Sequence, residues 1–250
     1  MDARHIETAW WGPPPEDAPT LVLLHEGLGC VSLWRDFPRR LADATGCCVF
    51  AYSRYGYGRS DPEPLPWPVS YMHREAEQVL PGVLDRAGVR RYVLIGHSDG
   101  ASIAAIHGGG IADPRRAALV MIAPHFFIED AGLASIAAIR AQYVAGDLRA
   151  RLARHHAHVD NAFHGWNGAW LDPRFCDWNI LDRVPRIDVP MLLLQGRQDE
   201  YGSAEQVYAA ARVATAPAEA VLIDGAGHAP HLEKPAETLA AIVSFVRRVL

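Results

Sequence analysis

A chain of 250 residues, half of them hydrophobic, can form one large α/β domain or two small ones with a sizeable core. A formal charge of −5, with Lys nearly absent and Arg scattered, leaves no basic arm or patch for nucleic acid. No apolar run approaches the roughly 20 residues that span a bilayer, and "MDARHIETAWWG" lacks the charged start and apolar run of a signal peptide. The four cysteines, Cys30, Cys47, Cys48 and Cys176, fit neither a CxxC metal pair nor a disulfide framework. Free thiols in a reducing cytoplasm are the expectation.

In chain order, residues 5–11 are expected as an antiparallel edge strand. "TLVLLH" at 20–25 is a short apolar run between turn signals, the pattern of a strand buried on both faces. The pattern repeats at 47–53, 91–97, 117–123, 190–196 and 219–225. Helical periodicity occupies 32–45, 71–87, 98–108, 204–214 and 236–249. Such alternation predicts an α/β fold with a mostly parallel central sheet and helices on both faces.

One interval breaks the rhythm. Residues 125–189 contain no convincing strand; they hold helical periodicity at 133–144, then "DLRARLARHHAHV", then an aromatic stretch with Phe163, Trp166, Trp170, Phe175 and Trp178. A structureless loop of this length is improbable in a compact domain. The expectation is a core from residues 1–124 and 190–250, with 125–189 inserted between two core strands as a helical cap.

"GHSDG" at 96–100 is a G-x-S-x-G between an apolar strand and a small-residue helix, the context a nucleophile elbow requires. The glycines are centred on Ser98, so Ser98, not Asp99, holds the nucleophile position. Asp99 is expected to give its backbone N–H to an oxyanion hole and to turn its carboxylate away, toward the helix amides or solvent.

A serine hydroxyl needs a base. Among twelve histidines, His228 in "LIDGAGHAPHLEKP" follows the last strand on a Gly-containing loop, with His231 as its rival. The base needs an acceptor to set its tautomer. "LLLQGRQDEYG" presents Asp199 at a strand end, with Glu200 beside it, and Asp130 and Glu129 stand after another strand. Asp199 is the first choice, and Ser98, Asp199, His228 follow the chain order of a strand-elbow hydrolase. The Gly-rich turn in "LLHEGLGCVSLW" can aim a second N–H at an oxyanion, from Gly27 or Leu28, with His25 anchoring the loop. Phe126, Phe127, Trp166, Trp170 and Trp178 are expected to line an apolar pocket. His155 and His158, read as one helical turn apart with His164 near, lack the other ligands of a metal site; no metal and no cofactor are expected.

"HEGLG", "YSRYGYGRSD", "GHSDG", "QGRQDEYG" and "GAGHAPHLEKP", in this order, make nearly the whole chain resemble the α/β-hydrolase fold superfamily, in particular its compact capped members. The resemblance implies an acyl-enzyme on Ser98, with His228 as base and then acid and Asp199 orienting it. Four positions depart from the family. Glu26 stands where the oxyanion loop usually has Gly. Ser53 and Tyr55 stand where an Asp and a basic residue are usual, so an ion pair common there is expected to be missing. Asp99 follows the nucleophile, where an apolar or small residue is commoner. The expected activity is cleavage of a small to medium apolar carboxylic ester or lactone, by a monomer or homodimer acting on a small molecule without nucleic acid or membrane. The alternatives are C–C bond cleavage or elimination by the same triad, and a ligand-binding protein with a vestigial site.

Overall fold

The computed structural model describes residues 4–250. Among these residues seven strands form one sheet: β1 (Thr8–Trp11), β2 (Thr20–Leu24), β3 (Cys48–Tyr52), β4 (Tyr92–His97), β5 (Arg116–Ile122), β6 (Met191–Gly196) and β7 (Ala218–Ile223). Their spatial order is β1-β3-β2-β4-β5-β6-β7. Only β1 runs antiparallel, pairing Thr8 with Tyr52 and Trp11 with Val49 at the edge.

The apolar runs are strands because both faces of the sheet are covered. Val22, Leu94, Met121 and Leu193 point into one core layer. Their neighbours Leu23, Ile95, Ile122 and Leu194 point into the other. The alternation is the period of two of a pleated strand. On the second face lie α1 (Phe37–Thr45) and α10 (Pro235–Val249), which also pack on each other. The first face carries α2 (Tyr71–Arg74), α3 (Leu80–Arg86), α4 (Asp99–Gly110) and, farther along, α8 (Glu205–Val213).

Two expected helices are interrupted. Residues 32–45 divide into a 3₁₀ turn (Val31–Trp34) and α1, separated at Arg35, whose φ is +54°. Between α2 and α3 the helix widens into a π turn over Glu75–Val79. Pro81 explains the widening: it has no N–H for residue 77, and its ring would strike that carbonyl in a regular α-helix.

Between β5 and β6 the chain forms α5 (Asp130–Ala145), α6 (Leu148–Leu152), α7 (Val159–Trp170) and two 3₁₀ turns, Pro173–Phe175 and Leu181–Arg186. Its one extended pairing is an isolated bridge from Phe127 to Asn179. The helix expected through His155 and His158 stops at Leu152, because the chain turns to bring His156 inward. The buried His156 accepts from the Gly58 N–H (2.9 Å) and donates to the Leu28 carbonyl (3.0 Å). His155 instead meets the Ser32 hydroxyl at 2.8 Å. Among the described residues no group of three or more His, Cys, Asp or Glu could hold a metal ion, and no helix is long and apolar enough to cross a membrane.

Candidate active site

From β2 the chain runs outward to β3, then crosses back to β4 on the other side of β2. The carboxyl ends of β2 and β4 therefore flank a topological switch point, where open α/β sheets bind ligands. The loop after β2 holds Glu26 to Gly29, and Ser98 follows β4.

Ser98 sits at φ +53° and ψ −119°, a conformation that L-residues rarely adopt and that costs about 1–3 kcal/mol. The neighbouring packing enforces it. A Cβ on Gly100 would run into the Leu24 carbonyl, and one on Gly96 into the Gly100 carbonyl. The Ser98 N–H is held by the Ile122 carbonyl at 2.9 Å. The turn into α4 is thus locked by backbone on three sides, and Ala101, Ala104 and Ala105, all buried, let α4 lie close to the sheet.

The Ser98 hydroxyl lies 2.9 Å from His228 Nε2, and His228 Nδ1 lies 2.9 and 2.8 Å from Asp199 Oδ1 and Oδ2. The carboxylate can only accept, so Nδ1 carries the proton and the Nε2 lone pair faces the hydroxyl. Asp199 follows β6 and His228 follows β7; the Gln198 N–H bonds the Ala226 carbonyl (2.9 Å) and ties the two loops. Asp199 also accepts from Gln195 Nε2 (2.6 Å) and from the N–H groups of Tyr201 (2.8 Å) and Gly202 (3.3 Å). Burial raises its carboxyl, but the His228 ring and these donors outweigh that and hold it below the usual Asp range.

The rival residues lie elsewhere. His231 is on α9 (Pro230–Glu233), buried against Trp34 and Phe37. Glu129 is taken up by Ser203 and Gln206, and Asp130 opens α5. Glu200 gives its backbone carbonyl to Ser135.

Gly27 and Leu28 are the central residues of a turn closed by the Gly29 N–H on the Glu26 carbonyl (3.1 Å). That carbonyl also accepts from His25 Nδ1 (2.7 Å) and Arg54 Nη2 (2.8 Å). His25 Nε2 in turn accepts from the Arg54 N–H (3.0 Å). Both its nitrogens are committed, and burial drives its pKa well down, so the ring is a neutral brace for the loop.

Asp99 departs from expectation in one respect. Its carboxylate has no bond to Ser98, but it faces neither helix amides nor solvent. It is buried, with Oδ2 accepting from Tyr71 Oη (2.5 Å) and Oδ1 from Trp170 Nε1 (3.1 Å). The reason is Arg54: its buried guanidinium lies 3.8 Å from Asp99 Oδ2, and a buried cation needs a counter-charge. Ser53 and Tyr55 are otherwise engaged, by Glu7 and by the Arg4 guanidinium stacked 3.7 Å from the Tyr55 ring. The ion pair of this region is therefore Arg54–Asp99. Burial pushes the Asp99 carboxyl up, against the pull of Arg54. Asp99→Ala leaves the Tyr71 and Trp170 donors without an acceptor, and each orphan costs about 1–3 kcal/mol. A thermal melt should show a Tm lower by roughly 4–24 °C; an unchanged Tm would mean that these bonds add nothing to the fold.

A cavity of about 130 Å3 opens over Ser98 and His228. Its polar wall is Glu26, Gly27, Asp99 and His125; its apolar wall is Leu28, Ile136, Ile139, Trp166, Trp170 and Tyr201. Of the five expected aromatics, Trp166 and Trp170 line it. Phe126 does not: its N–H is held by Gln206 (2.8 Å), its carbonyl accepts from Ile180 (2.7 Å), and its ring is wholly buried in the core. Phe127 is held by the bridge to Asn179, and Trp178 stacks on Phe175 at 5.3 Å, behind Trp170.

Sequence reasoning missed Gln195, His125, Tyr201 and the two isoleucines. Ile136 and Ile139, three apart on α5, carry the helical spacing that marks one face. His125 is buried, its ring 5.6 Å from that of His228, and burial lowers its pKa to about 3, so it is neutral. Tyr201 lies 4.6 Å from the His228 ring.

A family model described as the alpha/beta hydrolase family matches residues 21–242. No curated protein sequence matches the chain. Among solved structures, the chain resembles a thermophilic esterase from Thermogutta terrifontis (19% identity, 98% of this chain and 93% of that one, TM-score 0.76). It also resembles a proline iminopeptidase from Mycobacterium smegmatis (19%, 97% and 94%, TM-score 0.75) and the enol-lactonase from Burkholderia xenovorans LB400 (18%, 97% and 96%, TM-score 0.73). At these identities the likeness is one of fold.

Proposed function

The chain belongs to the alpha/beta hydrolase family, and from that premise we propose that it is a serine hydrolase of small to medium apolar carboxylic esters or lactones. The observation that carries this reading is the unbroken chain of contacts from Ser98 Oγ through His228 to Asp199, at 2.8–2.9 Å. As Ser98 Oγ attacks the carbonyl carbon, His228 Nε2 takes its proton, and Asp199 stabilises the imidazolium. The tetrahedral intermediate collapses, and His228 returns the proton to the departing alkoxide. A water then attacks the acyl-enzyme with His228 again as base, releasing the acid and restoring Ser98.

The negative oxygen is met by two backbone donors. One is the Asp99 N–H, at the first turn of α4, where it has no intrahelical partner. The other is Gly27. Three donors hold the Glu26 carbonyl to one side, and a trans peptide turns the following N–H to the opposite side. That argument favours Gly27 over Leu28. The lack of a side chain on Gly27 is also used: a Cβ there would collide with the Trp166 indole.

Residues 125–189 act as the cap, contributing His125, Ile136, Ile139, Trp166 and Trp170 to the cavity. Its volume suits a small ligand, on the scale of a single aromatic ring. Apolar walls beside a single reactive hydroxyl favour a hydrocarbon acyl or alcohol group. A fluorophosphonate probe should form one adduct, located at Ser98 by peptide mass spectrometry and blocked by a short ester competitor. A probe that leaves Ser98 unmodified would exclude this function.

A further inference from the structure

Beside the proposed triad stands another carboxylate–imidazole contact. His97 is buried at the end of β4, and its Nε2 lies 2.8 Å from the backbone carbonyl of His228. Its Nδ1 lies 3.4 Å from Glu26 Oε2. A carbonyl only accepts, so Nε2 carries a proton. In a neutral ring Nδ1 would then present a lone pair to a carboxylate oxygen, and two acceptors face to face repel. The contact is attractive only with one more proton shared between Glu26 and His97.

We propose that Glu26 and His97 form a second carboxylate–histidine pair, which positions His228 through its backbone carbonyl. The proposal rests on reading His228 as the base for Ser98. It assigns a use to the residue that replaces the usual glycine in the loop after β2. His97 directly precedes Ser98, Glu26 directly precedes Gly27, and the bonded carbonyl belongs to His228 itself. One imidazole thus ties the nucleophile turn, the oxyanion loop and the base loop together. A bond donated by a charged ring is stronger than a neutral one.

The groups facing His97 support a proton on Nδ1. Glu26 faces it from the loop after β2. His231 faces it from α9 with ring centroids 4.6 Å apart, and the His228 ring is 5.3 Å away on the loop after β7. Trp34 closes the remaining side, and Asp199 acts from the loop after β6. Burial lowers the His231 pKa far enough to keep that ring neutral. Burial also lowers His97, but Glu26 outweighs it and the net shift is upward. The pair therefore contributes fully to stability between about pH 4.5, below which the depressed Glu26 carboxyl begins to lose its share, and about pH 6.5. That contribution is lost as pH rises through the raised folded-state value.

The test follows the His97 ring nitrogens by NMR from about pH 5 to about pH 9, in wild type and in Glu26→Gln, alongside kcat, KM and fluorophosphonate labelling of Ser98. In wild type, His97 should remain doubly protonated past its unperturbed midpoint of about 6.5. Glu26→Gln should bring the midpoint below that value. It should also lower kcat about tenfold through a displaced base, with KM nearly unchanged and Ser98 labelling slowed in parallel. Glu26→Asp, which keeps the charge with a shorter reach, should fall between the two. A neutral His97 in the wild type at pH 6 overturns the proposal whether or not the variants fold. So does a Glu26→Gln enzyme with wild-type kcat and pH profile. Failure of the triad reading is separate: Ser98 would resist labelling while the His97 titration could still be read.

Discussion

Ser98→Ala is expected to reduce kcat/KM for short p-nitrophenyl esters by at least ~10³-fold, because the proposed route has no other group to form the acyl-enzyme. The fold should survive the change. The Ser98 hydroxyl makes one side-chain contact, to His228 Nε2, and a single hydrogen bond contributes about 1 kcal/mol. The strained backbone at φ +53° is imposed by Gly96, Gly100 and the Ile122 carbonyl, none of which the substitution alters. Tm should therefore move by no more than about 2–4 °C. Loss of activity without loss of structure is the signature sought, in steady-state assays paired with thermal melts. Equal rates in the two proteins would end the serine mechanism.

Asp199→Asn should lower kcat by roughly 10²–10⁴-fold with a smaller effect on KM. The size follows from the donors around the carboxylate. Oδ1 accepts from the Tyr201 and Gly202 N–H groups, so the Asn oxygen must take that place. The NH2 then occupies the Oδ2 position, facing the Gln195 amide and His228 Nδ1. Facing a donor, His228 is stabilised in the tautomer with its proton on Nε2, which donates to Ser98 instead of accepting from it. Gln195 can present its unpartnered Oε1 only by giving up the bond from its Nε2 to the Gly202 carbonyl, and the imidazole can accommodate only by losing its function as base. A near-normal kcat for this variant would remove Asp199 from the mechanism.

The sheet and the positions of these three residues could be read from the sequence because parallel strands buried on both faces are short, apolar and bounded by turns. The glycines around Ser98 stand where the structure needs them, for backbone clearance against Leu24 and within the turn itself. Side-chain direction after a strand end was not legible. Phe126 and Phe127 follow β5 as closely as His125 does, yet only His125 reaches the cavity. What separates them is bonding to Gln206, about 80 residues later. The direction of the Asp99 carboxylate is hidden from the sequence for the same reason: its partners, Tyr71 and Trp170, lie before and after it in the chain. The π turn ahead of Pro81 is a local effect that the apolar periodicity of 71–87 conceals.

The indoles of α7 have a consequence for how this molecule can be recombined. Trp166 lies against Gly27 where any side chain would intrude, and Trp170 satisfies the carboxylate next to Ser98. The segment between β5 and β6 is therefore not an interchangeable module resting on a finished catalyst. A transplanted segment would have to carry a flat ring for the one place and a hydrogen-bond donor for the other. Without them, a chimera would acquire a new pocket wall and lose the support of the two loops beneath it.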